Sequence, residues 1–117
     1  MELHEYKDRW TTADVSRDDA GVLTIRMHWR GKSLMWGGPP HQELPELFNA
    51  IASDRENRVV IITGTGDTFI GLGDGPNPLA EGRANATVWD RIIWEGNRLV
   101  DQMLAIEVPV IAAVNGP

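Results

Sequence analysis

Residues 59–66 read Val-Val-Ile-Ile-Thr-Gly-Thr-Gly, and this stretch decides the fold class of the 117-residue chain. Its first four residues are β-branched and apolar, a pattern typical of a strand that is covered on both faces in a parallel sheet. A second run of this kind, Val-Pro-Val-Ile-Ala-Ala-Val, occupies residues 108–114. Because a helical pattern separates the two runs, the sequence predicts a right-handed β-α-β unit and an α/β protein.

The helical pattern between the two runs begins at a cap, Asn85 or Thr87. Its apolar residues recur at helical spacing and predict one buried stripe over about four and a half turns. Glu95 lies on the flank of this stripe, where we expect it to be solvated. The stripe consists of Trp89, Ile92, Ile93, Gly96, Leu99, Val100, Met103 and Leu104.

The first half of the chain predicts a hairpin followed by a helix. Apolar and polar residues alternate over 21–29, which indicates a half-buried strand, and residues 12–17 are its expected partner. Residues 31–40 are rich in Gly and Pro and are predicted to be a loop outside regular structure. The next helix is expected to start near Gln42, because Pro45 is tolerated only in a first turn.

Composition narrows the possible partners. Eleven basic residues against 17 acidic ones leave a net charge of −6, and the basic residues are scattered. Binding through phosphate neutralisation needs a positive charge, so we expect neither nucleic acid nor anionic membranes as partners. The chain has no cysteine, which excludes disulfides and thiolate chemistry. It shows no apolar run of membrane-spanning length and no signal-peptide pattern at its start, so we expect a cytoplasmic protein.

The glycine-rich loop at residues 64–78 is a candidate ligand site, because α/β proteins place ligands after the carboxyl ends of parallel strands. It matches neither a dinucleotide fingerprint nor a P-loop. Its glycines allow backbone N–H groups to face a ligand and stabilise an oxyanion. The alternative is that the glycines are there only because the loop needs residues with positive φ angles. Asp74 in this loop is either a general base or a helix-capping carboxylate.

His41 follows two prolines at the start of the predicted second helix, and Trp36 precedes it by five residues. A histidine in this position can transfer a proton or hydrogen-bond a substrate carbonyl, although a surface or capping role is the common alternative. His4 and His28 lie in contexts without a catalytic rationale. The spacing of the three histidines does not match a metal site, so no metal is expected.

Two longer segments carry a family resemblance. Residues 54–69, Asp-Arg-Glu-Asn-Arg-Val-Val-Ile-Ile-Thr-Gly-Thr-Gly-Asp-Thr-Phe, resemble the second strand-turn segment of the crotonase (enoyl-CoA hydratase/isomerase) superfamily. Residues 107–116, Glu-Val-Pro-Val-Ile-Ala-Ala-Val-Asn-Gly, look like the strand that follows the long helix in that family. The resemblance covers about residues 20–117, nearly the whole chain.

The resemblance implies a ββα spiral fold, with residues 1–117 as the N-terminal part of a crotonase-fold domain that is incomplete at residue 117. It also implies trimers or dimers of trimers, and stabilisation of an enolate by two backbone N–H groups. One of these groups is that of Gly73, which precedes Asp74. The second is expected beyond Pro117, together with the acid and base residues.

Within the superfamily, the chain is most similar to the β-diketone hydrolase branch that includes 6-oxocamphor hydrolase. The shared features are the Gly-Lys-Ser-Leu of residues 31–34, Trp36, His41 and the Asp-Arg-Glu-Asn of residues 54–57. This similarity implies hydrolytic C–C cleavage of a β-diketone without a cofactor. Trp36 and His41 would lie at the substrate carbonyl, and Phe69 and Asp74 would contribute further substrate contacts.

Two alternatives stay open. An enoyl-CoA hydratase or isomerase would act on acyl-CoA thioesters, with CoA as part of the substrate. A non-catalytic binding or assembly fragment is the alternative from another class. We expect the full-length protein to be an enzyme with a small-molecule substrate, whereas the activity of the 117 residues alone stays undecided.

Overall fold

The computed structural model describes residues 1–72 and 85–117. In these residues one sheet has the strand order β1-β2-β3-β4, formed by Ala13–Arg17, Val22–Met27, Val59–Thr63 and Val110–Ala113. The helices of this part are α1 (Leu3–Tyr6), α2 (Gly38–Ser53) and α3 (Ala86–Leu104). None of the helices described is long and apolar enough to cross a membrane.

The sheet is mixed, as the sequence predicts. Strands β1 and β2 form an antiparallel hairpin, in which Val15 lies opposite Ile25. Strands β2, β3 and β4 are parallel to one another, with Ile25 paired to Ile62 and Ile62 paired to Ala112. The helix α3 lies between β3 and β4 in the chain, which confirms the predicted α/β organisation.

The core combines one face of the sheet with the apolar face of α2. In β2 the buried residues alternate with partly exposed ones, so that Leu23, Ile25 and Met27 point the same way. They belong to one buried cluster with residues of α2 and β3: Leu44, Leu47, Phe48, Ile51, Val60 and Ile62. Helix α2 therefore covers the sheet face that carries these apolar side chains.

Helix α2 starts at Gly38, four residues before the predicted position, so the last part of the predicted loop is helical. The prolines at 39 and 40 fit there because the first-turn amides of a helix have no intrahelical partner. Pro45 therefore lies inside the helix and cannot donate to the carbonyl of His41. Burial of Leu44, Pro45 and Leu47 offsets this lost hydrogen bond.

The predicted burial of the α3 stripe is wrong: four of its eight residues are exposed and the other four are only partly buried. The helix begins as expected, with the Asn85 side chain accepting a hydrogen bond from the Val88 N–H at 3.0 Å. Its buried residue is nevertheless Glu95. Several large apolar side chains of α3 and β4 are exposed instead: Trp89, Ile93, Trp94, Val100, Leu104 and Ile111. Helical spacing places such residues on one face, but burial also requires a surface that packs against that face.

Candidate functional site

His41 lies in the first turn of α2, directly after the segment that carries Trp36. The two rings make an edge-to-face contact, with centroids 6.0 Å apart and an angle of 84° between the planes. Such a T-shaped arrangement is a favoured geometry for aromatic pairs. The structure thus brings together the two residues that the sequence analysis assigned to the substrate carbonyl.

Glu95 is the residue that sequence reasoning missed. It is 5% exposed, and its Oε2 lies 2.8 Å from Nδ1 of His41. Its Oε1 accepts a hydrogen bond from Nε of Arg91 at 2.8 Å, one helical turn away. The expectation that Glu95 is solvated is therefore wrong. The sequence offers one weak signal for this arrangement, the i,i+4 spacing of Arg91 and Glu95.

Gly96 of α3 lies beside the imidazole ring of His41. A Cβ placed on Gly96 would lie 3.5 Å from Nε2 of His41 and 3.9 Å from its Cε1. The Nε2 edge of the ring therefore faces the backbone of α3 at this glycine. A second contact, from Nη1 of Arg98 to Oε1 of Glu46 at 2.5 Å, joins the same two helices nearer the surface.

An open apolar cavity of about 550 Å³ lies next to Trp36 of this cluster. Trp36 and Phe69, two of the predicted substrate-binding residues, both line it. The segments that carry them are joined, because the Trp36 N–H donates to the Gly71 carbonyl and the Gly71 N–H donates to the Leu34 carbonyl, each at 2.8 Å. Other lining residues come from all sides: Met27, Phe48, Ile62, Ile70, Leu99, Met103 and Val110. Such a cavity suits a small, largely apolar molecule.

The start of the glycine-rich loop is held by Asn115, which follows β4. Its side-chain NH₂ donates to the carbonyl oxygens of Gly66 and Thr68, at 2.8 and 3.3 Å. Its Oδ1 accepts from the Gly64 N–H at 3.0 Å. These contacts fix the path of the chain immediately after β3.

Gly73 and Asp74, the remaining predicted site residues, lie outside the described residues. The assignment of an oxyanion-stabilising N–H to Gly73 therefore stays a prediction, as does a substrate contact for Asp74. Within residues 1–72 and 85–117, no group of three or more His, Asp or Glu side chains could hold a metal ion.

No protein-family model and no curated protein matches the sequence. Among solved structures, the chain is similar to ABDH, a β-diketone hydrolase from the cyanobacterium Anabaena sp. PCC 7120 bound to (S)-3-oxocyclohexyl acetic acid. The identity is 40% and the TM-score 0.85, and the match covers 96% of this chain and 44% of that one.

Two further solved structures extend this similarity. An enoyl-CoA hydratase/isomerase from Mycobacterium paratuberculosis is 35% identical, with a TM-score of 0.77, over 94% of this chain and 43% of its own. An enoyl-CoA hydratase from Mycobacterium avium subsp. paratuberculosis K-10 is 28% identical, with a TM-score of 0.62, over 88% of this chain and 36% of its own. The 117 residues thus span less than half the length of each of these proteins.

Proposed function

This chain belongs to the crotonase superfamily and has the fold of its N-terminal portion, and from that premise we propose that the full-length protein hydrolyses a C–C bond of a β-diketone. The observation that carries the proposal is the contact between Trp36 and His41 beside the apolar cavity. The 40% identity to a β-diketone hydrolase supports the same substrate class.

In the proposed reaction, water adds to one carbonyl carbon of the 1,3-diketone. The bond from that carbon to the central carbon then breaks, and its electron pair forms the enolate of the second carbonyl. Protonation of the central carbon gives a ketone, and the attacked carbonyl becomes a carboxylic acid, so one water is consumed. Both steps place negative charge on oxygen, which a positioned hydrogen-bond donor stabilises.

In this scheme His41 hydrogen-bonds one substrate carbonyl oxygen, and the edge of Trp36 holds the imidazole ring in place. Phe69 contributes apolar contact from the cavity wall. The backbone N–H of Gly73 is assigned to the enolate oxygen by family resemblance, and Asp74 to a further substrate contact. Loss of one oxyanion donor in other enzymes raises the barrier by about 2.7–4 kcal/mol.

The test is an assay of the full-length protein with cyclic β-diketones and with crotonyl-CoA. We expect hydrolysis of the diketone to a keto acid, strongly reduced in His41→Gln and in Trp36→Phe. His4→Gln is the matched control, because His4 is largely exposed and its contact is to Glu2 at the surface. Turnover of the thioester alone would reject the hydrolase.

An enoyl-CoA hydratase or isomerase is the second candidate, favoured by the 35% identity to the Mycobacterium paratuberculosis enzyme. Calorimetry distinguishes the two: tight binding of CoA supports the second candidate, and its absence supports the first. The trimer or dimer of trimers that the family resemblance implies belongs to the same proposal, and gel filtration of the full-length protein measures it.

A further inference from the structure

We propose that Glu95, oriented by Arg91, is a positioning residue that keeps a proton on Nδ1 of His41 and thereby presents Nε2 to the substrate. The inference rests on the proposed role of His41 in substrate binding. It assigns a function to a side chain that the reaction scheme above does not use.

The first argument is the burial of the carboxylate. An ionised carboxyl group removed from water is costly unless donors satisfy its oxygens. Both oxygens of Glu95 have such a donor within 2.8 Å, Nδ1 of His41 on Oε2 and Nε of Arg91 on Oε1. Since the ionised carboxylate carries no hydrogen, Nδ1 must donate the bond that it shares with Oε2.

A proton held on Nδ1 determines what the other ring nitrogen can do. In the neutral ring Nε2 is an acceptor, and in the protonated ring it donates. When it donates to a substrate carbonyl oxygen, the ring is positively charged and the carboxylate of Glu95 compensates that charge. The carboxylate therefore suits both protonation states of the ring while it excludes the tautomer with hydrogen on Nε2 alone.

The second argument is that the ring is held from two directions. Glu95 holds the Nδ1 edge, and Trp36 makes the edge-to-face contact. Gly96 leaves the Nε2 edge free of any side chain at that position of α3. Two fixed contacts on one ring define where Nε2 lies, which is what hydrogen bonding to a reacting oxygen requires.

The third argument is that helix docking does not need a buried carboxylate here. Arg98 and Glu46 already join α2 to α3, and the Glu46 side chain is 53% exposed against 6% for Glu95. An ion pair that serves only to join two helices is less costly at the surface, where water still solvates the charges. The buried position of Glu95 is explained by its partner His41, which packs on Trp36 of the cavity wall.

The variant Glu95→Gln keeps the size of the side chain and changes only its hydrogen bonding, so it tests the effect of Glu95 on the ring tautomer of His41. Arg91 donates to the position of Oε1, so the Gln carbonyl oxygen turns towards Arg91 and its NH₂ turns towards His41. The NH₂ then donates to Nδ1 and moves the ring proton to Nε2. In the double variant Arg91→Ala, Glu95→Gln the amide is free to rotate, and its oxygen can accept from Nδ1 again.

We would measure the ¹⁵N chemical shifts of the His41 ring in the full-length protein, together with kcat and KM for β-diketone hydrolysis. We expect a proton on Nδ1 in the natural protein and a proton on Nε2 in Glu95→Gln. In the double variant the proton should return to Nδ1 in part of the molecules. The kcat of Glu95→Gln should fall about 10- to 100-fold, the range known for supporting partners of metal-binding histidines, with little change in KM. The neutral ring of this variant can still donate from Nε2, but it lacks the positive charge with which the ring beside Glu95 stabilises the developing oxyanion. Glu46→Gln, the matched control, should leave both unchanged.

A bare Nδ1 in the natural protein overturns the proposal, as does a loss of activity in Glu95→Gln with the ring tautomer unchanged. The two readouts also separate this proposal from the proposed function. If the natural protein does not cleave β-diketones, the reaction is wrong, and the ring tautomer of the unliganded protein alone decides the role of Glu95.

Discussion

Nδ1 of His41 and Oε2 of Glu95 lie 2.8 Å apart although 54 residues separate them in the chain. This contact joins the first turn of α2 to the middle of α3, and Trp36, which packs on the His41 ring, lines the neighbouring apolar cavity. The site is therefore built by two helices that dock through a polar contact. We therefore expect its properties to depend on the residues that contact His41 as well as on His41 itself.

Substitution of Gly96, the glycine beside His41, should raise stability and lower activity. Gly96→Ala removes a glycine from a helix interior, which should stabilise the protein by roughly 0.5–1 kcal/mol. The added methyl would sit at ordinary van der Waals contact, 3.5 Å from Nε2 of His41, where it obstructs a carbonyl oxygen. We expect kcat/KM to fall about tenfold or more, equivalent to about 1.4 kcal/mol, while Tm rises.

Thermal unfolding and steady-state kinetics check this prediction. Asn97→Ala, at an exposed position of the same helix, is the control, because it raises helix propensity without approaching His41. Unchanged activity in Gly96→Ala would mean that substrate does not approach Nε2 from this side.

Tyr6 should stabilise the protein through its hydroxyl group. The fully buried hydroxyl donates to Oδ2 of Asp54 at 2.8 Å and accepts from Nδ2 of Asn57 at 3.2 Å. Burial raises the pKa of Tyr6 to about 12, so the hydroxyl keeps its proton at neutral pH. Tyr6→Phe should lower the free energy of unfolding by about 1–3 kcal/mol, because it leaves a buried carboxylate short of a donor.

Urea denaturation of the full-length protein measures that difference. Tyr6→Phe keeps the ring and therefore the packing, which isolates the hydroxyl. Equal stability of the two proteins would contradict the assignment.

Asp54 should make the protein sensitive to acid. Burial raises the pKa of its carboxyl group, but hydrogen bonds from the Tyr6 hydroxyl, the Glu56 N–H and the Arg17 guanidinium outweigh burial and hold the pKa below its usual value. A carboxyl whose folded pKa lies below its unfolded pKa stabilises the fold above the unfolded value, about 3.9 for Asp. This stabilisation is lost as the pH falls through the folded pKa.

The comparison is between the natural protein and Asp54→Asn, with stability measured from pH 7 to pH 2. The natural protein should be more stable at neutral pH, and its advantage should shrink once the pH falls below about 4. A difference that stays constant over this range would show that ionisation of Asp54 does not contribute.

Asn115 should hold the loop that follows β3. Asn115→Ala removes three hydrogen bonds to Gly64, Gly66 and Thr68 and should lower the free energy of unfolding by about 2 kcal/mol. Asn115→Asp should cost more than Asn115→Ala, because it turns a carboxylate oxygen towards the two carbonyl oxygens that the NH₂ group now serves. Chemical denaturation gives both values, and Asn49→Ala, at an exposed position of α2, is the control. A milder effect for Asp than for Ala would contradict this account.

Local patterns were sufficient for most of the fold. The alternation over residues 21–29 reflects the two-residue period of a strand, and the β-branched run in β3 reflects the side chains that strands favour. The predicted start of α2 at Gln42 is wrong, because it assumes that Pro45 can occur only in the first turn of a helix. In the structure Pro45 lies inside the helix, where burial of the neighbouring side chains offsets the hydrogen bond that proline cannot donate.

The hairpin, the parallel strands and the superfamily can be predicted from sequence patterns alone, because neighbouring residues carry these signals, whereas the substrate-binding roles of Trp36 and His41 stay predictions. The exposure of Trp89 and Leu104 and the burial of Glu95 against His41 arise only in the folded chain. The spacing of a helix fixes which residues share a face, whereas their burial depends on the distant surface that meets that face. For Glu95 that surface is the start of α2, and no local pattern encodes the meeting of two segments 54 residues apart.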